Sequence, residues 1–360
     1  MKSQNNNIEK KFIENNFIAG VDLGGTKMAV MLANAQGILA KEQADVQLSG
    51  DKTTLARQAL GMLQTLAQQE NIAMIDIQAV GIMSCSPFVK IKQTDGSFAR
   101  EVAAPNLCGG LGGNPYNLPN TWTSFPLDTW LSAHWPTASV EQDHAAQNSP
   151  VFVLENDCVA ILQAERLFGA ASGSDHCAYA TWSTGVGFGL CVDGKLLAGK
   201  NGNAGHAGHT YVTDSGVAGL HQCGCGNVGD LESMVSGKAL AKAWQIAQND
   251  ASMTTRDLFE AEQAGNPQAR DIIHAAAKHF GQALYNLVVT LDLDTIVMGG
   301  SVFMRNQGLL LALLQAQMLH GMPALTWGAK LIPAKHGANA GDLGALSLVM
   351  PKDWISTWKH

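Results

Sequence analysis

The chain twice places a turn rich in glycine and hydroxyl groups between short apolar segments. The first turn, Asp22–Lys27, joins the apolar segments Phe17–Asp22 and Met28–Ala33. The second turn, Ser183–Gly189, follows the apolar segment Cys177–Trp182 and leads into another one. Apolar runs bounded by glycine turns are typical of β-meanders, and segments with helical periodicity follow each of them. The sequence therefore predicts two α/β lobes built on one repeated plan, with a cleft between them.

The 360 residues suit two packed lobes rather than one. Residues 1–16 are polar and rich in Asn, Lys and Glu, so we expect a disordered leader. We place the N-terminal lobe at residues 17–135, joined by a returning C-terminal helix within 341–360, and the C-terminal lobe at residues 136–340. Inside the first lobe, the stretch 89–122 holds many glycines, prolines and asparagines and is predicted to be irregular.

The overall composition argues against several classes of protein. A formal net charge of −7 disfavours a nucleic-acid-binding surface. The apolar runs are all shorter than the roughly 20 residues that a membrane span needs. Seven cysteines in a chain that begins without a signal-peptide pattern indicate a reducing compartment. We therefore expect a cytoplasmic protein that binds small molecules.

Three glycine-containing turns are candidates for phosphate binding. Glycine lets a turn close on an anion and leaves backbone amides free to bond phosphate oxygens. A carboxylate at the end of the first strand could hold hydrated magnesium, and the Gly299–Ser301 turn, which opens a helix, suits an adenosine or its α-phosphate. Each turn alone is equally consistent with an ordinary hairpin, whereas the ordered set of three favours a nucleotide. The predicted contacts are Asp22, Gly24, Gly25, Thr26, Lys27, Thr184, Gly185, Gly187, Gly299 and Gly300.

The segment Gly202–Glu232 combines two histidines, two close cysteines and two carboxylates with many glycines. Soft and hard ligands at this density predict a zinc knuckle beside a small polar pocket. A flexible surface loop without a metal is the alternative interpretation. The proposed ligands are His209, Cys223, Cys225 and Asp230, with His221 as a substitute for one of them.

Together the three turns and this segment resemble the actin-like ATPase and sugar-kinase superfamily, and within it the ROK family of repressors and kinases. The resemblance extends from Phe17 nearly to the end of the chain. It implies a two-lobed, ribonuclease H-like α/β fold, Mg-ATP as phosphoryl donor, often a structural zinc, and a dimer. Repressor members carry a DNA-binding domain before the first phosphate turn. Only 21 residues precede Asp22, so the chain resembles the kinase branch.

The resemblance also assigns roles on the acceptor side. In Glu155-Asn156-Asp157, Asp157 is implied to be the catalytic base and Asn156 to bond a sugar hydroxyl. Either residue could instead only cap the helix that follows, and the two roles are compatible. Asn106, in the sequence Pro105-Asn106-Leu107, is implied to be another sugar contact.

Three positions depart from the family pattern, all on the acceptor or metal side. His206 stands where the family has a glutamate that accepts hydrogen bonds from the sugar, and His209 keeps the family histidine. Asp230 replaces the third cysteine of the knuckle, while Glu232 remains as an implied sugar contact. Cys85-Ser86 stand where the family commonly has Pro-Gly, a place close to the sugar, so Ser86 is an implied sugar contact.

These departures leave the phosphate turns and the proposed base intact. We therefore predict an ATP-dependent kinase that phosphorylates a hydroxyl of a hexose or hexose derivative. We expect this to be the primary 6-hydroxyl. The alternative is a non-catalytic sugar sensor of the same fold, which the missing family glutamate would favour. The sequence does not identify the sugar, because a few hydrogen bonds distinguish epimers and one of those positions has changed.

Overall fold

The protein is described here from a computed structural model, which describes residues 16–93, 95–110, 114, 116–136, 149–213 and 221–358. The chain divides into two compact units. The first comprises Met1–Phe168, Ala198–Asn203 and Ala338–His360, and the second Gly169–Leu197 and Ala204–Gly337.

The first unit contains a five-stranded sheet whose strand order is β3-β2-β1-β4-β7. Strands β1, β2 and β3 form an antiparallel meander; β4 pairs in parallel with β1, and β7 pairs in parallel with β4. Two further strands, β5 and β6, pair as a separate antiparallel hairpin. The strands are β1 Phe17–Leu23, β2 Lys27–Asn34, β3 Gly37–Asp45, β4 Ile77–Ser84, β5 Phe88–Lys92, β6 Phe98–Val102 and β7 Val151–Asn156.

Helices cover both faces of this first sheet, because alternate residues of its inner strands are apolar on both sides. On one face Val21 and Val30 pack with Leu63 of an amphipathic helix. On the other face Met31 packs near Ala160 and Leu346, which belong to two helices from later parts of the chain. The helices of the unit are α1 Thr54–Gln69, α2 Asp128–His134, α3 Asp157–Phe168 and α10 Ala340–Ser347, with a 3₁₀ turn at Met74–Asp76 and another at Gly337–Asn339.

The second unit repeats the sheet plan with the order β10-β9-β8-β11-β12. Strands β8, β9 and β10 are antiparallel, and β11 and β12 are parallel to β8. The repetition that the glycine turns predicted is therefore present in the strand order. The strands are β8 Cys177–Trp182, β9 Val186–Val192, β10 Lys195–Leu196, β11 Thr295–Gly299 and β12 Lys330–Pro333.

The core of the second unit forms around a long helix, α7 Pro267–Leu291. It begins where the side chain of Asn266 accepts a hydrogen bond from the Ala269 amide, and proline at the first helical position needs no donor there. Phe280 of α7 stacks on the buried indole of Trp182. The other helices are α4 Leu231–Val235, α5 Gly237–Gln248, α6 Thr255–Gln263, α8 Ser301–Arg305 and α9 Gln307–Met318, with 3₁₀ turns at Ala207–His209 and Pro323–Leu325.

The structure differs from the sequence-based expectations in three places. The stretch predicted as irregular contains the β5–β6 hairpin, whose alternating residues Val89–Lys92 precede a turn at Gly96 with φ of +85°. The sequence predicts one helix over 303–317, but the structure divides it at Asn306, where the backbone adopts φ of −122°. The division into units falls after Phe168 rather than after residue 135, because β7 is hydrogen-bonded to β4 and so belongs to the first sheet.

Two further expectations concern the returning C-terminal helix and the leader at the start of the chain. Helix α10 returns to the first unit and packs on α3 and β1. The leader predicted at 1–16 lies, except for its last residue, outside the described residues. Within the described part of the chain, no helix combines the length and apolar character needed to cross a membrane.

Candidate active site

The carboxyl end of β7 carries the predicted base and its neighbour into the first turn of α3. The side-chain amide of Asn156 donates one hydrogen bond to Ser86 Oγ and one to Asp157 Oδ1, each with a donor–acceptor distance of 2.8 Å. The Cys158 amide donates to Asn156 Oδ1 at 2.9 Å and to Asp157 Oδ1 at 2.8 Å. Both residues therefore cap the helix, as the alternative interpretation expected, while the cap also fixes the Asp157 carboxylate beside Asn156 and Ser86.

Asn106 lies next to this group and against the first glycine turn. Its Oδ1 is 3.4 Å from Cys85 Sγ. Burial, with the nearby Asp157 carboxylate, raises the pKa of the Cys85 thiol to about 12, so the thiol stays protonated and donates to Asn106. A Cβ atom at Gly25 would collide with the Asn106 amide nitrogen. Glycine is thus needed there so that the phosphate turn and the predicted sugar-binding asparagine can touch.

The first phosphate turn is closed by a hydrogen bond from the Gly24 amide to the Lys27 carbonyl, at 2.9 Å. The Thr26 carbonyl accepts from the Val46 amide, which ties the turn to the end of β3. The Lys27 ammonium lies 3.2 Å from Asp45 in an exposed ion pair. In this arrangement the Lys27 charge is directed to a surface carboxylate.

Three carboxylates gather where β1 ends. Burial, together with the charges of Asp157 and Asp342, raises the pKa of Asp22 to about 7, while Lys41 acts in the opposite direction. Lys41 Nζ lies 2.7 Å from both oxygens of Asp342. Carboxylate oxygens are the donors that a hydrated divalent cation prefers, and the role of Asp22 as a contact for hydrated magnesium stays a prediction. Sequence reasoning missed Asp342 and Lys41; the only signal was an acidic residue at the start of the last predicted helix.

The two glycine turns of the second unit meet each other. Ser183 Oγ lies 3.1 Å from Ser301 Oγ, and the Gly237 amide donates to the Ser183 carbonyl at 2.8 Å. Gly300 has φ of +88° and ψ of 151°, a conformation open almost only to glycine, and it lies against the Trp182 carbonyl. The turns that the sequence placed far apart are therefore one structural feature.

A cavity of about 650 Å³ opens beside these turns within the second unit. Thr184 and Ser301 line one side of it, and α5 and α6 contribute the other, with Thr255 and Phe259 among the lining residues. This cavity was not predictable from the sequence, because a helical pattern indicates the buried face of one helix but not a gap between two helices. Its size is within the range of small-molecule sites.

The four predicted metal ligands converge in the second unit. One ligand atom each from His209, Cys223, Cys225 and Asp230 lies within 4.8 Å of all the others. Asp230 Oδ2 is 3.2 Å from His209 Nδ1 and 3.5 Å from Cys225 Sγ, and Cys223 Sγ is 3.5 Å from the same histidine nitrogen. A tetrahedral zinc with bonds of about 2.0–2.3 Å separates its ligand atoms by about 3.3–3.8 Å, so these donors fit zinc in type and spacing.

Asp230 can serve this cluster because its other oxygen is used elsewhere. Oδ1 accepts from the Ser233 amide and caps α4, which leaves Oδ2 directed toward the cysteines and the histidine. Although burial opposes ionisation, hydrogen bonds from His209 and Ser233 lower the pKa of Asp230 to about 2. His221, the predicted substitute, is not a member of the four-residue group in the described part of the chain and instead borders a small cavity with His279.

Glu232 joins this cluster to the second glycine turn. Its Oε2 accepts from the Val186 amide at 2.8 Å, and its Oε1 lies 3.1 Å from Cys223 Sγ. A Cβ atom at Gly185 would approach the same carboxylate to 2.7 Å. The His206 ring is stacked 6.0 Å from the His209 ring. Both predicted acceptor-side residues therefore adjoin the candidate metal site, and Glu232 also supports the turn.

These features define a class: an α/β protein with a duplicated sheet, glycine turns at strand ends and a carboxylate at the start of a helix. The model of the ROK family matches residues 125–352, more than half of the chain. The chain belongs to the ROK family.

Known relatives cover almost the whole chain. The N-acetylmannosamine kinase of Shigella flexneri is 30% identical over 336 residues, which are 92% of this chain and 97% of that protein. The crystal structure of a ROK hexokinase from Thermus thermophilus is 30% identical and superposes with a TM-score of 0.69, covering 92% of this chain and 97% of that one. A ROK glucokinase from Streptomyces griseus, in complex with glucose and AMPPNP, is 25% identical with a TM-score of 0.63, covering 92% and 99%.

These relatives confirm the predicted fold class and the prediction of an ATP-dependent sugar kinase over that of a non-catalytic sensor. Sugar and ATP are accordingly its small-molecule partners.

Proposed function

We propose that the protein transfers the γ-phosphoryl group of Mg-ATP to the primary 6-hydroxyl of a hexose or hexose derivative, with Asp157 as the general base. The observation that carries the proposal is the grouping of Asp157, Asn156, Ser86 and Asn106 around the first glycine turn. N-acetylated hexosamines are the first substrates to test, because the kinase from Shigella flexneri named above acts on N-acetylmannosamine.

The chemistry follows from these groups. Asp157 accepts the proton of the sugar hydroxyl, the hydroxyl oxygen forms a bond to the γ-phosphorus, and the bond from that phosphorus to the bridging oxygen of ADP breaks. Asn156 and Asn106 orient the sugar through their amides, whose other contacts to Ser86 and Cys85 hold them in place. Magnesium, when bound, supplies positive charge that offsets the phosphate oxygens. Asp22 and Asp342 are the side chains that would hold it with its water shell.

The adenosine is proposed to occupy the cavity beside Thr184 and Ser301. The volume of about 650 Å³ suits a nucleoside, and Ser301, the last residue of the Gly299-Gly300-Ser301 turn, lines the cavity. Thr184 and Ser301 would bring hydroxyl donors to the phosphates.

A structural zinc is proposed at His209, Cys223, Cys225 and Asp230. The Cys225 amide donates to Cys223 Sγ at 3.4 Å, a contact that stabilises a thiolate ligand. Glu232 adjoins this site: it accepts a hydrogen bond from the Cys223 thiol at 3.1 Å and, through its other oxygen, one from the Val186 amide of the glycine turn. His206 in place of the family glutamate offers the sugar one donor and one acceptor rather than acceptors alone, so altered acceptor preference is expected at this position.

A homodimer and a cytoplasmic location complete the proposal. All seven cysteines are free thiols in the described residues, which supports a reducing compartment. Light scattering coupled to size-exclusion chromatography would test the dimer: a mass near 76 kDa, twice the 38.1 kDa chain, is expected.

The decisive experiment measures ADP release with hexoses, amino sugars, N-acetylated hexosamines and polyols, each with and without magnesium. We expect magnesium-dependent turnover with at least one N-acetylated hexosamine or hexose, and a 6-deoxy version of that sugar should be inactive. Sugar binding detected by calorimetry, without ADP release from any member of the panel, would overturn the kinase proposal in favour of the sensor. Turnover of the 6-deoxy sugar would overturn the assignment of the acceptor hydroxyl.

A further inference from the structure

Arg100, on strand β6, occupies a central place in the first unit that the proposed function does not use. The β5–β6 hairpin leaves the segment Cys85–Pro87 and returns the chain toward Asn106, so it connects two of the acceptor-side segments. From β6 the Arg100 side chain reaches a third segment, the carboxyl end of β7. That end carries Asn156 and Asp157.

Strand β7 needs support there because it lies at the edge of its sheet. On one side β7 is hydrogen-bonded to β4, from Val151 to Asn156. Arg100 supports the residues that precede the base: its Nη2 donates to the Leu154 carbonyl oxygen, and its Nη1 lies 3.7 Å from Glu155 Oε2. A planar guanidinium can make both contacts at once.

The charge of Arg100 is matched to two buried carboxyl groups. Burial raises the pKa of Glu155, whereas the positive charge of Arg100 acts to lower it. Burial likewise raises the pKa of Asp128 at the start of α2, where Arg100 again acts in the lowering direction. Glu155 Oε2 and Asp128 Oδ1 are both buried without a hydrogen-bond partner in the described structure. The guanidinium therefore supplies the positive charge that offsets the free-energy cost of burying these carboxyl oxygens.

The guanidinium is itself held from other directions. It lies over the Phe88 ring, with its central carbon 4.8 Å from the ring centroid. A Cβ atom at Gly202 would come within 2.6 Å of Nη1. Asn203, the next residue, exchanges two hydrogen bonds of 2.8 Å with the backbone of Phe88. Only glycine at 202 leaves room for the charge where it lies, so this segment is docked around Arg100.

We propose that Arg100 is a positioning residue for phosphoryl transfer, which sets the orientation of Asn156 and Asp157 by holding Leu154 and Glu155 at the edge of the sheet. The inference rests on the proposed function, because it assumes that Asp157 acts on a bound sugar. Arg100 itself contacts neither reactant in this assignment. A displacement of about 1 Å at a reacting group can reduce a rate by about 100-fold, so such a role is measurable.

The test compares Arg100→Met, Arg100→Lys and the double variant Arg100→Met/Glu155→Gln with the wild type. In Arg100→Met, kcat should fall by about 10- to 100-fold per folded molecule, while KM for ATP stays within about 2-fold. Arg100→Lys should recover part of the loss, since the ammonium restores charge without the two-pronged geometry. The double variant removes the unpaired Glu155 charge and should regain thermal stability but not kcat, because Leu154 still lacks its donor.

The matched control is Arg57→Met, which removes an arginine of the same unit whose ion pair with Asp51 at 3.0 Å is exposed. Its kcat should stay within about 2-fold of wild type. A purely structural role of Arg100 would lower the melting temperature and the folded fraction but leave kcat per folded molecule unchanged, and restored stability in the double variant would restore activity. That result overturns the inference.

If Arg100→Met does not fold, Arg100→Lys and Glu155→Gln decide the question, because both retain most of the packing. Wild-type kcat in both variants contradicts the positioning role. Failure of the proposed function is distinguishable, since it appears as absent turnover in the wild type with the whole sugar panel. The inference fails only when the wild type turns over and the Arg100 variants match it.

Discussion

The two sheets share one strand order but differ in the chemistry at their strand ends. In the first unit, β1 carries the half-buried carboxylate of Asp22 one residue before its end, and β7 leads into Asp157. In the second, β8 leads to the hydroxyls of Ser183 and Thr184, and β11 ends at Gly299. The comparison shows that a backbone plan does not determine its chemistry. The corresponding strand ends carry acids in the first unit, and hydroxyls and backbone amides in the second.

The difference also explains where each unit needs support. A group of acids must be balanced by cations, and Lys41 and Arg100 provide this in the first unit. A glycine turn has no side chain to anchor it, and in the second unit Glu232 and the candidate metal cluster take that part. Variants at these positions can therefore test the proposed role of each unit separately.

The largest effect is expected from Asp157→Asn, which removes the proposed base from the first unit. The amide keeps the size of the carboxylate and can retain the cap to the Cys158 amide. Loss of a general base lowers rates by about 100- to 10,000-fold, so kcat should fall in that range while KM for ATP and the melting temperature change little. Steady-state kinetics and calorimetry check this. A variant with kcat within about 5-fold of wild type would assign the base elsewhere.

A second large effect is expected in the second unit from Cys223→Ser. Serine is a poorer zinc ligand than a thiolate, so elemental analysis should show the zinc content falling from about one ion per chain toward zero, with a lower melting temperature. Cys108→Ser, in the first unit, is the control: it removes a buried thiol outside the cluster and should leave zinc content unchanged. Wild-type protein purified without chelators and found free of zinc would contradict the metal proposal.

The sequence predicted the repeated sheet plan because apolar runs and glycine turns are local patterns. It also predicted the convergence of His209, Cys223, Cys225 and Asp230, whose types and spacing follow a ligand pattern. The β5–β6 hairpin was missed although Val89–Lys92 alternates between apolar and charged residues, because the many glycines, prolines and asparagines of the stretch 89–122 favour turns.

Other features could not be predicted because they depend on contacts between distant segments. Asp342 and Lys41 are 301 residues apart in the chain. Arg100 meets Leu154 and Glu155 only because β7 joins the first sheet, which placed the unit boundary after Phe168 rather than after residue 135. The cavity beside Thr184 arises from the spacing between helices, which no periodicity discloses.

A smaller effect is expected from Gly300→Ala, which tests the glycine turn of the second unit. Alanine is strained at φ of +88°, and its Cβ would collide with the Trp182 carbonyl, so the variant should lose about 1–3 kcal/mol of stability. The shifted turn should also raise KM for ATP more than KM for the sugar. Gly308→Ala is the matched control, because its Cβ meets nothing within 4 Å inside helix α9. Equal behaviour of the two variants in urea unfolding and kinetics would contradict the turn's role.

The smallest effect concerns the acids of the first unit and is seen in the pH dependence of stability. The pKa of Asp22 is about 7 in the folded protein against 3.8 for the ordinary side chain, so between about pH 4 and pH 7 the folded state binds more protons than the unfolded state. Stability then decreases as pH rises through this window and levels off above it.

In urea unfolding with EDTA and without nucleotide, wild type should therefore lose on the order of 1–2 kcal/mol between pH 5 and pH 8 relative to Asp22→Asn. The asparagine variant should be the more stable protein at pH 8. Asp51→Asn is the control: hydrogen bonds from Thr53 lower the pKa of this exposed carboxyl, so its titration lies below the tested range. Parallel pH profiles for wild type and Asp22→Asn would mean that Asp22 is ionised in the folded protein throughout. The contrast with the second unit would then rest on Asp157, because the strand-end acid of β1 would no longer differ from an ordinary carboxylate.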